Sequence, residues 1–391
     1  MPGPLHGFRI LDVTQMMSGP VATRILGDQG ADVIKVEPAT GDLTRATGSA
    51  GRKMSPLFAT TNRSKRSVVL DLKTEAGVRV LHRLAGRADV FVQNFRPGAA
   101  ERMGIGEPAL RALNEKLIYV SISGFGESGP YAHKRVYDPV IQALSGLASI
   151  QGGGSGRPRM LRLIVPDKLT AVTAAQAITA ALLARERTGV GQHVRLAMLD
   201  AVVAFHWPEA MVRHTFVGDD IGTRPPDTRD LVFETADGFM TAGAVAMREW
   251  QAFCNAVERP EWLTDPRFQS TAGLVRHADA RLELMASVLA TRTTAEWCER
   301  LDRAQVPCAP ILTRDELLTH PQVRENAIVV ESEHPSTGRM RQARPPERFE
   351  KTPSAISRTA PLLGEHTDEV LAESGYSREE IASLRAQGAL G

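Results

Sequence analysis

The sequence predicts an α/β protein: a large domain with an open parallel sheet and a smaller α+β domain placed after it. Three observations carry this. In the first half, short apolar runs alternate with helical patterns at the spacing of βαβ units. The stretch 216–229 is dense in Gly, Pro and charge, as a linker is. The 391 residues also exceed the usual size of one hydrophobic core, which favours two domains.

The elements follow in order. Phe8–Val13 is a short apolar strand, and Thr14 to Pro20 is a loop leading into a helix over Val21–Asp28, with Ser18 and Pro20 as start signals and Gly30 as the stop. Ala31–Glu37 is the next strand. The pattern repeats with strands at Ser67–Asp71, Asp89–Gln93 and Leu117–Ser123, and helices at Thr74–Ala85 and Ala109–Asn114. His193–Met198 is a further strand, followed by a helix to Val212 that carries His206 and Trp207. Beyond the linker, a hairpin turns around Ala236-Asp237-Gly238, and helices are expected at 249–257, 276–291 and 294–304. The domains are thus expected at 1–215 and 230–310. The segment 311–391 holds a helix at 315–318, short strands at 328–331 and 340–343, and two terminal helices that must dock on the first domain or on a partner chain.

Composition narrows the function. A net charge of +2 is too small for a nucleic-acid binder recognised by its electrostatics. No apolar run approaches the ~20 residues of a membrane span, and the N-terminus lacks a signal-peptide pattern, so a soluble cytoplasmic protein is expected. Three cysteines without paired spacing suggest buried thiols in a reducing compartment, and no metal site is expected. In an open α/β sheet, ligands settle at the carboxyl ends of strands. No G-x-G-x-x-G follows the first strand, and neither Gly124–Pro130 nor Gly152–Gly156 has phosphate-loop spacing. Both read as turns.

The central stretch runs Leu163-Ile-Val-Pro-Asp167 into a long Ala-rich helix that ends at Thr188-Gly189. Asp167 stands where a helix N-cap belongs, and the helix dipole favours a carboxylate there by ~0.3–1 kcal/mol. It is expected to stay ionised at neutral pH and to serve as a nucleophile toward a thioester, although capping alone is the commoner role of such an Asp.

Seven stretches in order resemble the class III CoA-transferases, the family of formyl-CoA transferase. They are Asp12–Pro20, Gly30–Glu37, Asn62–Asp71, Asn94–Gly98, Val136–Asp138, Arg187–Gln192 and Ala360–Asp368. The resemblance implies a Rossmann-like large domain built from the N-terminal part and the C-terminal tail, a smaller domain between, and an interlocked homodimer. It implies that Asp167 attacks the acyl-CoA, giving a mixed anhydride and then an enzyme–CoA thioester that passes to an acceptor acid. The expected activity is an acyl-CoA:carboxylate CoA-transferase with a succinyl-CoA-type donor and a small carboxylic acid as acceptor. Coenzyme A is then a substrate, not a resident cofactor.

By resemblance Tyr137, Asp138 and Gln15 join Asp167 in the catalytic set. The racemase branch has a His–Asp pair where this chain has Tyr137–Asp138. Tyrosine, with a pKa of about 10, is a poor base at neutral pH, which favours transfer over 2-methylacyl-CoA epimerisation. A non-catalytic CoA-binding protein is the remaining alternative. Coenzyme A contacts carried over by position are Met16, Met17, Leu70, Lys73, Asn94, Phe95, Arg96, Arg102, Met103 and Arg135. Arg63, Lys65 and Arg66 add an expected basic loop, since phosphates call for cations. Met17 and Pro38 depart from the family pattern, replacing a polar side chain and an arginine. Arg157, Arg159 and Arg162 could meet a second substrate carboxylate. Water exclusion calls for a lid, yet Val217–Pro226 has no glycine run of the family type.

Overall fold

The computed structural model describes residues 2–48, 54–152, 157–218 and 230–391. It divides into two compact units, Met1–Thr228 with Ala327–Gly391, and Arg229–Asn326. The second unit therefore runs past residue 310, where the sequence reading ends the small domain. The reason lies in its sheet: strand Cys308–Pro310 pairs with Phe239–Ala242, which pairs with Phe233–Glu234, so at 310 the chain is still inside the unit. Helices Arg314–Thr319 and Pro321–Glu325 belong to it as well. Its core gathers Trp250, Phe253, Phe268, Trp297 and Leu301. The helix expected over 276–291 is found as Ala278–Leu289, and a separate short helix, Thr271–Arg276, precedes it across His277.

The first unit is built on six parallel strands: β1 (Arg9–Asp12), β2 (Asp32–Glu37), β3 (Lys65–Val69), β4 (Val90–Gln93), β5 (Ile118–Ser123) and β6 (His193–Ala197). Their spatial order is β3-β2-β1-β4-β5-β6. The chain thus leaves β1 toward one edge and later returns to its other side. Such a switch point opens a crevice beyond the carboxyl ends of β1 and β4. The helices are α1 (Ser18–Asp28), α2 (Pro56–Thr61), α3 (Glu75–Ala85), α4 (Ala99–Arg102), α5 (Glu107–Leu113), α6 (Asp138–Leu144), α7 (Leu147–Ile150), α8 (Val165–Thr188) and α9 (Met198–Ala210). Both α2 and α6 go beyond the sequence reading. Each has six or seven residues, too few to show a helical period, and each starts with proline at its first or second position.

Helix packing fixes the loops that matter. On one sheet face α8 presents Ala171, Ala174, Ala175, Ile178 and Leu182, at i, i+3, i+4, i+7 and i+11, to Ala22 and Leu26 of α1 and to Val33, Val90 and Val120 of the strands. Small alanines let α1 and α8 lie close together. The opposite face is covered by Leu81 and Leu84 of α3, Leu110 of α5, and by the tail through Val370, Leu371, Ile381 and Leu390. The tail also bonds β3 and its exit, with His366 N donating to Ser67 O at 2.9 Å and Asp71 N to Ala389 O at 3.0 Å. Among the described residues no helix is long and apolar enough to cross a membrane.

Candidate active site

A cavity of about 870 Å³ opens beyond the carboxyl ends of β1, β4 and β5, at the switch point of the sheet. Three loops and the first turn of α8 build it.

The loop after β1 turns back sharply onto α1. The buried Asp12 carboxylate accepts from Thr14 N at 2.9 Å and from the Thr14 hydroxyl, closing the turn. Gly19 has to be a glycine: a Cβ there would sit 2.3 Å from Thr14 Cβ. Met16 takes a left-handed backbone, φ +68°, which is strained for a residue with a side chain. Gln15 N donates to Asn94 Oδ1 at 2.9 Å and Asn94 Nδ2 donates back to Gln15 O at 2.8 Å, which ties this loop to the one after β4. Met16, Met17, Asn94, Phe95 and Arg96 all line the cavity.

The loop after β5 can pass close to the segment 132–138 because Gly124 has no Cβ; one would lie 2.6 Å from Val136. That segment delivers Lys134, Arg135, Tyr137 and Asp138 to the cavity. Tyr137 is 67% exposed, so its ring is free to meet a ligand. Asp138 is buried. Its Oδ1 accepts from Gln142 Nε2 at 2.6 Å and its Oδ2 accepts from Asp167 N at 3.2 Å, so it caps the first turn of α8 from outside.

Asp167 is therefore not the N-cap expected from the sequence. The helix starts at Val165, with Ile164 as its cap residue, and Asp167 is the third helical residue. The Val165-Pro166 pair begins the helix earlier because proline suits its second position. Asp167 ionises less readily than an ordinary aspartate: burial and the neighbouring Asp138 charge push its carboxyl up to about 6, partly offset by the nearby N–H and hydroxyl of Ser18, which leaves it mostly ionised at neutral pH as expected. Ser18 is the first residue of α1, so the positive end of that helix dipole faces Asp167. The sequence reading had Ser18 only as a helix start signal and did not connect it to Asp167. It also passed over Lys134 and Lys168, which line the cavity with Arg96, Arg135 and Arg162. No ion pair joins any of these five cations to an acid among the described residues.

Seven of the expected coenzyme A groups lie outside the cavity lining. The expected basic loop does not exist. Arg63 is buried on Asp28 (2.8 Å) and Gln342 (2.9 Å), and Lys65 on Asp12 and Asn62 (both 2.9 Å). Arg66 pairs with Asp32, Glu369 and Glu373. Three cations in a row look like surface, but here each meets an acid that folding brings from elsewhere. Leu70 is 1% exposed and Met103 half-buried, both in the core under α3. Lys73 and Arg102 are exposed, in the turn after β3 and at the end of α4. Residues 219–226 of the expected lid segment, and 153–156 of the glycine-rich turn, lie outside the described residues. Cys254 is buried, Cys298 and Cys308 are half-buried, and all three are free.

The model of CoA-transferase family III matches residues 5–367. The chain belongs to CoA-transferase family III. Its curated relatives include a succinyl-CoA:glutarate CoA-transferase of Mus musculus, 33% identical over 99% of this chain and 90% of that protein. A formyl-CoA:oxalate CoA-transferase of Rhodopseudomonas palustris is 34% identical over 100% of this chain and 98% of its own length. Among solved structures, a CaiB/BaiF family protein from Brucella suis superposes with a TM-score of 0.84 at 28% identity, covering 96% of this chain and 100% of that one. As a family III CoA-transferase, the chain is an enzyme acting on CoA thioesters.

Proposed function

We propose that this enzyme moves coenzyme A from an acyl-CoA donor of the succinyl-CoA type to a small carboxylic acid, through Asp167. The observation that carries the reading is the place of this carboxylate. It lines the switch-point cavity, half-buried, at the N-termini of both α1 and α8. Succinyl-CoA is the donor named for the mouse relative, and the cations of the cavity, which meet no acid among the described residues, suit a substrate that carries a second carboxylate.

In the proposed cycle an Asp167 oxygen attacks the thioester carbonyl, and the C–S bond breaks to release CoA thiolate and an acyl-aspartyl anhydride. The thiolate then attacks the aspartyl carbonyl of the anhydride. The donor acid leaves, and Asp167 holds coenzyme A as a thioester. The acceptor carboxylate attacks that carbonyl, a second anhydride forms, and the thiolate takes the new acyl group and frees Asp167. Each step moves one acyl group and needs no external proton. Ser18 N–H and the α1 dipole stabilise the negative charge that collects at the aspartyl carbonyl. Gln15 offers an amide donor to the acyl oxygen, and Met16, Met17 and Phe95 wall off water. Arg96, Lys134 and Arg135 inside the cavity, with Lys73 and Arg102 outside it, are assigned to the coenzyme phosphates. Arg63, Leu70 and Met103 are left out, being internal. An interlocked homodimer in the cytoplasm belongs to the same proposal.

The test is Asp167→Ala with a succinyl-CoA donor and a panel of mono- and dicarboxylates, products read by mass spectrometry. Exchange should fall by at least 10³-fold while coenzyme A still binds by calorimetry. Full exchange in the variant rejects the nucleophile, and deuterium entering the substrate α-carbon without any acceptor acid would move the assignment to the racemase branch.

A further inference from the structure

Beneath the loop after β1 lies a group of charges that the reaction scheme does not use. Lys35 of β2 and Lys65 of β3 are fully buried, together with Asp12 and Asp42. Burying four charges is costly unless each is paired and hydrogen-bonded, and here each is. Lys35 Nζ donates to Asp42 Oδ2 at 3.0 Å, and Lys65 Nζ to Asp12 Oδ2 at 2.9 Å.

Lys65 Nζ further donates to Asn62 Oδ1 at 2.9 Å, and Asp42 Oδ1 accepts from Thr44 N at 2.9 Å and from the Thr44 hydroxyl at 2.8 Å; the other side-chain bonds of this group go to the loop itself. Lys35 Nζ also donates to Thr14 O at 2.9 Å, and Lys65 Nζ to Pro20 O at 2.9 Å. Asp12 accepts from Thr14 N at one oxygen and from the Thr23 hydroxyl, at 2.7 Å, at the other. Asp42 Oδ1 accepts from Met16 N at 3.4 Å, the residue held at φ +68°. The chain from Thr14 to Thr23 is thus fastened at both ends and at its strained middle, and between those points lies Ser18. A loop with a left-handed methionine is strained and persists only where its surroundings over-determine it. A hydrophobic core would hold the sheet equally well, but it would not bond backbone atoms of this loop.

We propose that the Lys35–Asp42 pair is a positioning element of the site, holding the loop Thr14–Ser18 in the strained form that aims the Ser18 N–H and hydroxyl at Asp167. The proposal rests on the reading of Asp167 given above.

The test uses the full-length Lys35→Met/Asp42→Asn variant, which removes one buried pair and leaves Asp12–Lys65 neutral. Asp167 is titrated directly by the infrared band of its protonated carboxyl, assigned by loss in Asp167→Asn. Its neighbours Asp138, Lys168 and Arg162 are unchanged. With Ser18 displaced, the titration midpoint should rise by at least half a pH unit, as it does in Ser18→Ala, and adding Ser18→Ala to the double variant should then raise it by less than in the native background. The acid limb of kcat against pH should move with it. An unmoved midpoint in a folded variant, or two fully additive shifts, overturns the proposal. Should the double variant not fold, Asp42→Glu keeps the ion pair but moves the carboxylate by one methylene; a raised midpoint supports the proposal, and an unmoved one rejects it. The infrared midpoint does not depend on turnover. If Asp167→Ala retains exchange, the reading of function fails while the positioning result still stands.

Discussion

Asp167 has to be ionised to act as a nucleophile, and its surroundings oppose that. Burial and the Asp138 charge raise it to about 6 from the ordinary 3.8. The rate should therefore fall about tenfold per pH unit below pH 6, as measured by kcat against pH. The same shift has a stability consequence of fixed sign. The folded pKa lies above the unfolded one, so the folded protein holds this proton more tightly than the unfolded chain does. The penalty is complete above about pH 6 and fades as pH falls toward 3.8. Asp167→Asn, which cannot ionise and keeps an oxygen for Ser18, should be more stable than the native protein by roughly 2 kcal/mol at pH 7.5, converting the shift at about 1.4 kcal/mol per unit with allowance for solvent. The gain should vanish below pH 4 in urea titrations. A less stable Asn variant at pH 7.5 would contradict the environment described for this carboxyl. The sequence singled out the residue, since a lone acid after Val-Pro ahead of an Ala-rich helix is visible in the chain. It could not give the pKa, because Asp138 and Ser18 come from 29 residues before α8's Asp167 and from the start of α1.

At the level of elements, the site depends on how closely the loop after β1 returns to α1. Gly19 is the contact point, with Thr14 Cβ, Cγ2 and Oγ1 at 2.3–2.5 Å from where a Cβ would be. Gly19→Ala must push Thr14 away from Asp12 or unwind the first turn of α1. Overpacking of this kind costs about 1–3 kcal/mol. Activity should drop further than stability explains, because Ser18 is the next residue. Circular dichroism melting and kcat/KM measured together check this, and an Ala variant with native kcat/KM would show that the loop tolerates displacement. The strands β1, β2, β4 and β5 were legible because parallel strands buried on both faces read as largely apolar runs; β3 was expected two residues late, at Ser67–Asp71, because it opens with Lys65-Arg66. Short α6 was not, since seven residues give no period; yet it carries Asp138 to the site. The cluster Arg63–Lys65–Arg66 misled for a related reason. A run of cations shows nothing of Asp28, Asp12 or Asp32, the acids it meets once β1, β2 and α1 are assembled.

For the whole molecule, the two units differ in what completes them. The first is assembled from both ends of the chain, and on one face of its sheet the last 25 residues complete the cover begun by α3 and α5, through Val370, Leu371, Ile381 and Leu390, each no more than 6% exposed. Burying such side chains contributes about 1.5–3 kcal/mol each, so the four together approach the 5–15 kcal/mol by which a domain is stable at all. The sequence showed that the tail must dock, from its capped helices, but not where, since its apolar positions fit the sheet face or a partner equally well. The second unit is continuous in the chain and carries its own core of Trp250, Phe253, Trp297 and their neighbours. Two truncations then have opposite outcomes. Residues 1–366 should be insoluble or unfolded, because removing the tail uncovers β3 and strips Arg66 of Glu369 and Glu373. Residues 229–326 alone should fold, with a cooperative urea transition in tryptophan fluorescence, three of the four tryptophans of the chain lying there. A soluble 1–366 fragment with a native melting curve would mean that the tail adds no core to the sheet. A non-cooperative 229–326 fragment would mean that its tryptophan cluster closes only when the rest of the chain is present.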